Sequence, residues 1–410
     1  MNRRVVVTGM AGISPIGNDW DAIQDKLKSY QNAVVTMPEW DEYNGLHTRL
    51  AAPAVEFELS DRFTRKSMRG MGRVALMATR ATELALLDAG LLDEDRLLKS
   101  GKIGVAYGSS TGTPRAIGAF TTMFTEKTTK NINATTYIKM MPHTAPVNIG
   151  VFFGVTGRII PTSSACTSGS QGIGYAYEAI RSGRQIIMIA GGAEELCATE
   201  VAVFDTLYAT SIRNDDPQAT PSPFDAHRDG LVIGEGAATL ILEDLEHARA
   251  RGATIYAELA GFGTNSDGCH VTNPNTETMK IALTLALEDA SLSSSAIQYI
   301  NAHGTGTHQG DIAESHATAQ IFGNKISISS LKSYMGHTLG ACGALEAWIS
   351  IQMMNNNWFA PTLNLKQPDP LCAELNYIMD TGKISDCEYI MSNNFAFGGI
   401  NTSLVFKKYK

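Results

Sequence analysis

A single cysteine lies in a run of small residues, in the stretch TSSACTSGSQGIG that begins at Thr162. Free cysteines are often buried as small hydrophobes, and this interpretation stays open for Cys166. The small side chains around it would, however, let a substrate approach the sulfur closely. A helix that begins just after Cys166 would direct its free N–H groups and positive dipole end at the thiol, which would lower the thiol pKa. The pattern therefore indicates a nucleophilic cysteine without naming the electrophile.

Two histidines lie downstream in glycine-rich turns, His303 in NAHGTGTHQGD and His337 in SLKSYMGHTLGACGALE. Each turn follows a β-rich run and precedes a helical stretch, so both imidazoles could reach one cleft. A metal site that includes His308 is an alternative, although a five-residue spacing on a glycine loop matches no usual ligand geometry. Burial as core histidines is a second alternative. The two turns favour a functional role for His303 and His337.

A third glycine turn, MSNNFAFGGIN, carries Phe395 and Phe397 and follows a predicted strand. Its backbone N–H groups could face an oxygen that becomes negatively charged during acyl transfer. The segment SPFDAHRDGLVIGEGAATLIL combines turn residues and charges before another strand. We interpret this second segment as scaffolding.

One basic segment stands out against the acidic balance of the chain, whose net charge is −8. The stretch DRFTRKSMRGMGR is predicted as a helix that carries its cations within about three turns. A solvated helix face and a docking surface for an acidic protein both fit this spacing. The net charge disfavours a general nucleic-acid binder. The cations are Arg62, Arg65, Lys66, Arg69 and Arg73, with Lys127 and Lys130 as a looser second group.

The length of 410 residues predicts two domains or two closely packed halves, because single cores stop growing at roughly 250 to 300 residues. Six cysteines without paired spacing argue against a disulfide framework or a zinc cluster and favour a reducing compartment. The N-terminal MNRRVVVTGMAGISPIG predicts a strand and turn rather than a signal peptide, and the sequence lacks a run of about 18 apolar residues. We therefore expect a cytoplasmic protein without membrane insertion.

β-rich runs alternate with helical stretches, which predicts an α/β fold. Helices are expected at 74–89, 169–182, 278–290, 312–322 and 340–354. The stretches RRVVVTGMAGISPIG near the start and ATIYAELAGFGTNSDG near residue 253 both lead into a glycine turn, so they indicate a duplicated unit. We expect two halves that share one packed sheet system, 1–250 with the cysteine and 251–410 with the two histidines.

Six motifs resemble, in order, those of the β-ketoacyl-acyl carrier protein synthases, the elongating condensing enzymes of the thiolase superfamily. They are RRVVVTGMAGISPIGN, ACTSGSQGIG, PFDAHRDGLVIGEGAA, HGTGTHQGD, LKSYMGH and NNFAFGGIN, and they span the whole chain. The resemblance implies two duplicated βαβαβ-type halves in a layered αβαβα core. It also implies a decarboxylative Claisen condensation of a malonyl group with an acyl chain held on Cys166. Both substrates would arrive on the phosphopantetheine arm of acyl carrier protein, so neither a metal nor a redox cofactor is implied.

The resemblance also assigns roles to individual residues. His303 and His337 would hydrogen bond the malonyl thioester oxygen, and the backbone N–H groups of Cys166 and Phe397 would form the oxyanion hole. The other implied residues are Lys332 and Glu346 in the histidine network, Asp311 in support, Thr305 and Thr307 at the pantetheine amides, Phe204, Thr111, Phe395 and Phe397 at the substrate, and Arg62, Arg65, Lys66 and Arg69 at the carrier protein.

Several positions depart from the usual family pattern. Ala396 replaces a common glycine beside Phe397, which would restrict a gate, and Thr111 stands where isoleucine or glycine usually lines the acyl pocket. A more polar pocket makes specialised polyene or polyketide synthesis, including aryl polyenes, an alternative to fatty acid synthesis. The segment after Phe204 is also more polar than expected, with Asp205, Thr206 and Tyr208.

Related enzyme classes would use different residues. A biosynthetic thiolase would need a second cysteine as base, and an initiating synthase pairs its cysteine with one histidine and an asparagine. A non-catalytic chain-length-factor-like partner would lack the nucleophile. Cys166 with His303 and His337 therefore favours an elongating synthase, as a homodimer or as the catalytic subunit of a heterodimer with a related ketosynthase-like subunit.

Overall fold

The computed structural model describes residues 3–410, and eleven of the sixteen strands in this range form one hydrogen-bonded sheet. The strands are β1 Val5–Ile13, β2 Val35–Thr36, β3 Leu50–Ala52, β4 Ile103–Gly108, β5 Ile159–Thr162, β6 Ile187–Glu194, β7 Ile233–Gly234, β8 Gly236–Asp244, β9 Ala257–Ser266, β10 Tyr299–Asn301, β11 Ser327–Ser329, β12 Trp358–Phe359, β13 Asn376–Tyr377, β14 Lys383–Ile384, β15 Tyr389–Phe395 and β16 Ile400–Lys408. The large sheet has the order β13-β11-β10-β15-β16-β9-β1-β8-β6-β4-β5.

Thirteen α-helices lie in the described part of the chain. They are α1 Trp20–Lys28, α2 Arg73–Asp88, α3 Asp95–Leu98, α4 Ile117–Glu126, α5 Ala134–Met140, α6 Thr144–Phe153, α7 Ser168–Arg181, α8 Ala198–Asp205, α9 Leu245–Ala250, α10 Thr276–Ala290, α11 His308–Phe322, α12 Lys332–Met335 and α13 Cys342–Asn355. The five predicted helices correspond to α2, α7, α10, α11 and α13. Sequence periodicity missed α4 and α5, which bury none of their residues. Within residues 3–410, every helix falls short of the length and apolarity that crossing a bilayer requires.

The two parts of the chain repeat one strand order. Before residue 250 the order is β5-β4-β6-β8-β1, and after it the order is β11-β10-β15-β16-β9 with β13 added at the edge. In each part the first two pairings are parallel and the next two are antiparallel. The two parts are joined by antiparallel pairing of β1 with β9, in which residues 5–7 face residues 257–259. The duplicated α/β fold is therefore confirmed, and the boundary at residue 250 stays a prediction.

Helices α7 and α13 pack against each other and against strands of both parts. Small residues permit this contact. A Cβ atom on Gly169 would lie 2.9 Å from the Gly340 carbonyl oxygen, and one on Gly343 would lie 2.8 Å from the backbone nitrogen of Ser170. Helices α2 and α6 cover one outer face, whereas α10 and α11 cover the other. This layering brings the loops before α7 and α13, which are distant in sequence, to one place.

Candidate active site

Cys166 lies in the short turn between strand β5 and helix α7. The turn is held by its own small polar residues, since the Thr162 hydroxyl donates to the Ser168 carbonyl at 2.7 Å and the Ser164 N–H donates to Ser168 Oγ at 2.9 Å. Ala165 has a φ of 50°, in the left-handed region that L-residues rarely adopt. This bend places the thiol two residues before the first turn of α7, as the sequence predicted.

The Cys166 thiol is buried and faces three hydrogen-bonding groups. Its Sγ lies 3.0 Å from His337 Nε2, and the backbone N–H groups of Phe397 and of Cys166 itself are directed at it. Burial nevertheless raises the pKa of Cys166 to about 11, although the Phe397 N–H and the charge of Lys332 oppose the rise. The expectation of a lowered thiol pKa is therefore wrong, because removal from water outweighs the helix start. The resting group is a thiol, with His337 placed to accept its proton.

The two predicted histidines meet above this thiol. Their ring centroids are 5.1 Å apart and their planes are nearly perpendicular. Burial and the charge of Lys332 hold the pKa of His303 and of His337 well below the usual range, so both imidazoles are neutral. Lys332 Nζ lies 3.2 Å from His303 Nδ1. Because an ammonium can only donate, Nδ1 accepts and the ring proton of His303 must sit on Nε2.

A buried ion pair supports this arrangement. Lys332 Nζ donates to Glu346 Oε1, and the amide of Asn394 donates to the other carboxylate oxygen at 2.6 Å. Burial lowers the pKa of Lys332, but the adjacent Glu346 carboxylate more than compensates, so the pKa is raised and the ammonium persists. Cys342, the first residue of α13, donates its thiol to the Cys166 carbonyl at 3.1 Å. The network thus ties helix α13 to both the nucleophile and His303.

The His303 loop is fixed by a carboxylate that the sequence analysis did not identify. Glu314 accepts the backbone N–H groups of His303 and Gly304, each at 2.7 Å. It stands one helical turn after Asp311 on α11, so their shared spacing was the available signal. Asp311 accepts the N–H group of Thr305 at 3.1 Å, and burial raises the pKa of Asp311 to about 6. Two buried carboxylates therefore hold this one glycine turn.

A cavity of about 440 Å³ extends from the thiol and the two histidines. The hydroxyls of Thr305 and Thr307 stand 2.9 Å apart along it, as expected for residues that contact a polar arm. The rings of Phe204 and Phe397 meet edge to face at 5.4 Å. The predicted site residues on this cavity are Cys166, Phe204, His303, Thr305, Thr307, Asp311, His337, Phe395 and Phe397.

The segment interpreted as scaffolding contributes a buried cation. Arg228 donates to Asp369 at 2.7 Å and lies 3.4 Å from Asp311, so it supports the His303 loop from below. Arg228 also borders the cavity. The same segment holds Glu235, which pairs with Arg73. Arg73 is therefore engaged within the fold.

Thr111 and Asp205, which were expected to make the pocket more polar, do not line this cavity. Thr111 is absent from its lining, and the Thr111 hydroxyl donates to Glu200 Oε1 at 2.6 Å. Asp205 is buried and accepts the backbone N–H of Thr48 at 3.1 Å and the hydroxyl of Thr210 at 2.7 Å. Asp205 therefore secures neighbouring loops, which corrects the expectation that it adds polarity to a pocket.

The residues that could hold a metal ion here are not the three histidines that the sequence suggested. One ligand atom from each of Cys166, His303 and His337 falls within a span of 4.8 Å, and His308 does not join them. The Lys332 ammonium next to His303 opposes a second positive charge at this point. The donor set therefore fits proton transfer and hydrogen bonding better than it fits a cation.

The basic segment before α2 is not the predicted helix. Residues 65–70 form turns, and α2 begins only at Arg73, after two glycines that disfavour helix continuation. Arg62 is already paired, since its guanidinium lies 2.5 Å from Asp93 Oδ1. This exposed pair partly offsets the charge of Arg62, whose place among the docking cations stays a prediction. The remaining predicted docking residues, Arg65, Lys66 and Arg69, are exposed.

Family comparisons agree with this geometry. The N-terminal domain of β-ketoacyl synthase matches residues 2–248, and the C-terminal domain matches residues 256–366. The chain belongs to the β-ketoacyl synthase family, and it is an acyltransferase. Its relatives include 3-oxoacyl-[acyl-carrier-protein] synthase 2 of Vibrio harveyi, 36% identical over 414 residues, and 3-oxoacyl-[acyl-carrier-protein] synthase 1 of Haemophilus influenzae, 36% identical over 413 residues. Each match covers 99% of both chains.

Solved structures of ketosynthases share the whole fold. A β-ketoacyl synthase from Burkholderia phymatum is 59% identical with a TM-score of 0.98. The ishigamide ketosynthase/chain length factor is 29% identical with a TM-score of 0.89. The AntDE:AntF complex, a type II polyketide acyl-carrier protein with its hexaketide-bound ketosynthase, is 31% identical with a TM-score of 0.87. Each match covers 100% of both chains.

Proposed function

We propose that this chain is an elongating β-ketoacyl-acyl carrier protein synthase with Cys166 as the acyl acceptor. The observation that carries the proposal is the 3.0 Å contact between Cys166 Sγ and a neutral His337. His337 Nε2 takes the thiol proton as the sulfur attacks an acyl thioester. The N–H groups of Cys166 and Phe397 stabilise the resulting oxyanion. Collapse of the intermediate leaves the acyl group on Cys166 and releases the pantetheine thiol, which recovers the proton.

The second step uses both histidines as hydrogen-bond donors. The Nε2–H of His303 donates to the thioester oxygen of the malonyl group, and His337 donates to the same oxygen from its Nε2–H tautomer, which its unpartnered Nδ1 permits. The bond to carbon dioxide breaks, its electron pair forms an enolate, and the enolate carbon attacks the acyl carbonyl on Cys166. A new carbon–carbon bond forms while the sulfur leaves as thiolate. Neutral imidazoles suit this work, because an enolate oxygen needs donors and the reaction needs no net proton loss.

Three further groups position the substrates. Lys332 and Glu346 fix the tautomer of His303, and Asp311 holds the backbone beneath Thr305. Thr305 and Thr307 bind the amides of the pantetheine arm. No metal or redox cofactor enters this scheme, since decarboxylation supplies the driving force.

The carrier protein docks on the exposed cations Arg65, Lys66 and Arg69. These cations contrast with the net charge of −8 of the whole chain. The family resemblance implies an acidic carrier protein, which such cations would attract. Exposed cations mainly accelerate encounter with an acidic partner. The carrier complex among the structural relatives supports this choice of partner.

A second candidate is the catalytic subunit of a ketosynthase/chain-length-factor heterodimer. Helices α4 and α5 bury no residue, while Phe124 is 68% exposed and Val151 is 79% exposed. Such apolar exposure favours coverage by a second subunit. The partner is either another copy of this chain or a related ketosynthase-like subunit, as in the structural relative named above. Fatty acid synthesis and specialised polyene or polyketide synthesis both remain candidate pathways.

Mass spectrometry of the intact protein tests the nucleophile. After incubation with an acyl-carrier, the wild type should gain the mass of one acyl group, and Cys166→Ala should gain none. Cys269→Ala is the matched control, because Cys269 is exposed and does not line the cavity at the thiol. Stable acylation of another cysteine in Cys166→Ala would overturn the assignment. Absence of chain extension after malonyl-carrier is added to the loaded wild type would overturn the condensing activity.

A further inference from the structure

A buried carboxyl on helix α8 has one oxygen without a partner. Glu200 is only 6% exposed, and its Oε1 accepts the Thr111 hydroxyl at 2.6 Å. Its Oε2 is buried and makes no hydrogen bond. An unsatisfied buried polar atom costs about 1 to 3 kcal/mol, so a group is expected to complete it.

Glu194, at the end of strand β6, does not supply that group. Its carboxylate is occupied by the Ser109 hydroxyl at 2.8 Å, the Ser110 N–H at 2.7 Å and the Gly340 N–H at 3.0 Å. Glu194 therefore secures the loop after β4 to the loop before α13. Glu200 is the carboxyl beside it that retains binding capacity.

The position of Glu200 relates it to the nucleophile. Glu200 and Phe204 stand four residues apart on α8, so they share one face of that helix. Phe204 borders the cavity at Cys166, and Val201 packs in the same apolar cluster as Cys166. Glu200 and Thr111 are nevertheless absent from the lining of that cavity, which carries Thr305 and Thr307. Glu200 thus lies outside that lining, about one helical turn from Phe204 on α8, and Thr111 lies beside it in the loop after β4.

The acyl group on Cys166 and the incoming malonyl group cannot share one space. The malonyl group and its pantetheine arm must occupy the cavity at the two histidines during the second step. The acyl chain must leave that space free, and we place it along the α8 face that carries Phe204, which borders the cavity, packs in the apolar cluster of Cys166 and leads toward Glu200.

We infer that Glu200, oriented by Thr111, hydrogen bonds an oxygen atom on the acyl chain held by Cys166, so that the enzyme prefers an oxygenated acyl group to a plain hydrocarbon chain. This inference rests on the proposed function, and it names the substrate class of that site. Hydroxyl, carbonyl and ether oxygens share the required acceptor chemistry.

The protonation of the carboxyl decides which partner it needs. Burial and the charge of the neighbouring Glu194 raise the pKa of Glu200 to about 10, so Glu200 is a neutral acid at physiological pH. Thr111 donates to one oxygen, which leaves the proton on the other. The free oxygen is therefore a donor, and it pairs with an acceptor on the substrate.

Acyl loading onto Cys166 provides the test, measured by intact mass with a series of ω-hydroxyacyl-carriers and their unsubstituted counterparts of equal length. The full chain is used, with any partner subunit that copurifies. Wild type should load the hydroxylated chain about 5- to 100-fold faster at the length that reaches Glu200, corresponding to the cost of an unpaired buried group. Equal loading of both members at every length would overturn the inference.

Variants separate recognition from folding. Glu200→Leu should abolish or reverse the preference, whereas Glu200→Gln keeps a donor and should retain it. Thr111→Val should weaken the preference without slowing the unsubstituted chain. Thr113→Val is the matched control, because the Thr113 hydroxyl does not bond Glu200. If Glu200→Leu slowed both chains equally, the residue would be structural and the inference wrong.

Chain extension after malonyl-carrier is added separates this inference from the proposed function. Selective loading without extension would refute the condensing activity and leave the oxygen preference standing. Extension without selective loading would refute only the preference. Failure of every acyl chain to load would refute both.

Discussion

Replacement of His303 with alanine should stop decarboxylation while sparing acyl loading. His303 borders the cavity, and Lys332 occupies its Nδ1 at 3.2 Å, so the variant removes one Nε2–H donor from the malonyl oxygen. Loss of one preorganised donor of this kind costs about 100- to 1000-fold in kcat, or roughly 2.7 to 4 kcal/mol. The contact between Cys166 and His337 at 3.0 Å involves no atom of His303, so loading should change far less.

His337→Ala should behave differently, because His337 serves both steps. It contacts the thiol directly and also donates to malonyl, so loading and decarboxylation should both fall. Two assays separate these outcomes: carbon dioxide release from malonyl-carrier, and the mass of the acyl-enzyme after incubation with acyl-carrier alone. His316→Ala is the control, since His316 is exposed on α11. Wild-type carbon dioxide release in His303→Ala, or loading as poor as that of His337→Ala, would refute the reasoning.

Three further predictions follow from the charges. The rate of Cys166 alkylation by iodoacetamide should rise about tenfold per pH unit up to the thiol pKa of about 11, since only the thiolate reacts. An alkylation rate that stays constant above neutral pH would contradict the raised pKa. Glu346→Gln leaves the buried Lys332 ammonium without its counter-ion and should lower the free energy of unfolding by about 3 to 5 kcal/mol in denaturant titrations; an unchanged midpoint would show that the pair is dispensable. Arg65→Glu should raise KM for carrier-bound substrate but not for a small pantetheine thioester. Arg62→Glu should raise KM for carrier-bound substrate less, because Arg62 already pairs with Asp93. Equal loss of activity with both substrates would show that Arg65 is structural.

Much of the fold and the chemistry was readable in local sequence patterns. The small residues around Cys166 and the glycine turn at His303 each lie between a strand and a helix, and the turn at His337 lies between α12 and α13. Such short-range patterns are encoded by neighbouring residues. Apolar periodicity likewise predicted α7 and α13, although α13 is buried around almost its whole circumference. The order of six motifs then indicated the family. These features depend on a few consecutive residues, so one sequence is enough to recognise them.

Tertiary structure decided the features that depend on distant partners. Burial outweighed the helix start at Cys166 and raised its pKa, and burial depends on the packing of α7 against α13 rather than on residues near the thiol. The ion pair of Arg62 with Asp93 partly offsets the charge of one predicted docking cation, and the pair joins residues 31 positions apart. Thr111 was noticed as an unusual residue, but its bond to Glu200 spans 89 positions. Local pattern reveals residue type and spacing along the chain, whereas charge state and partner follow from which groups the folded layers bring together and remove from water.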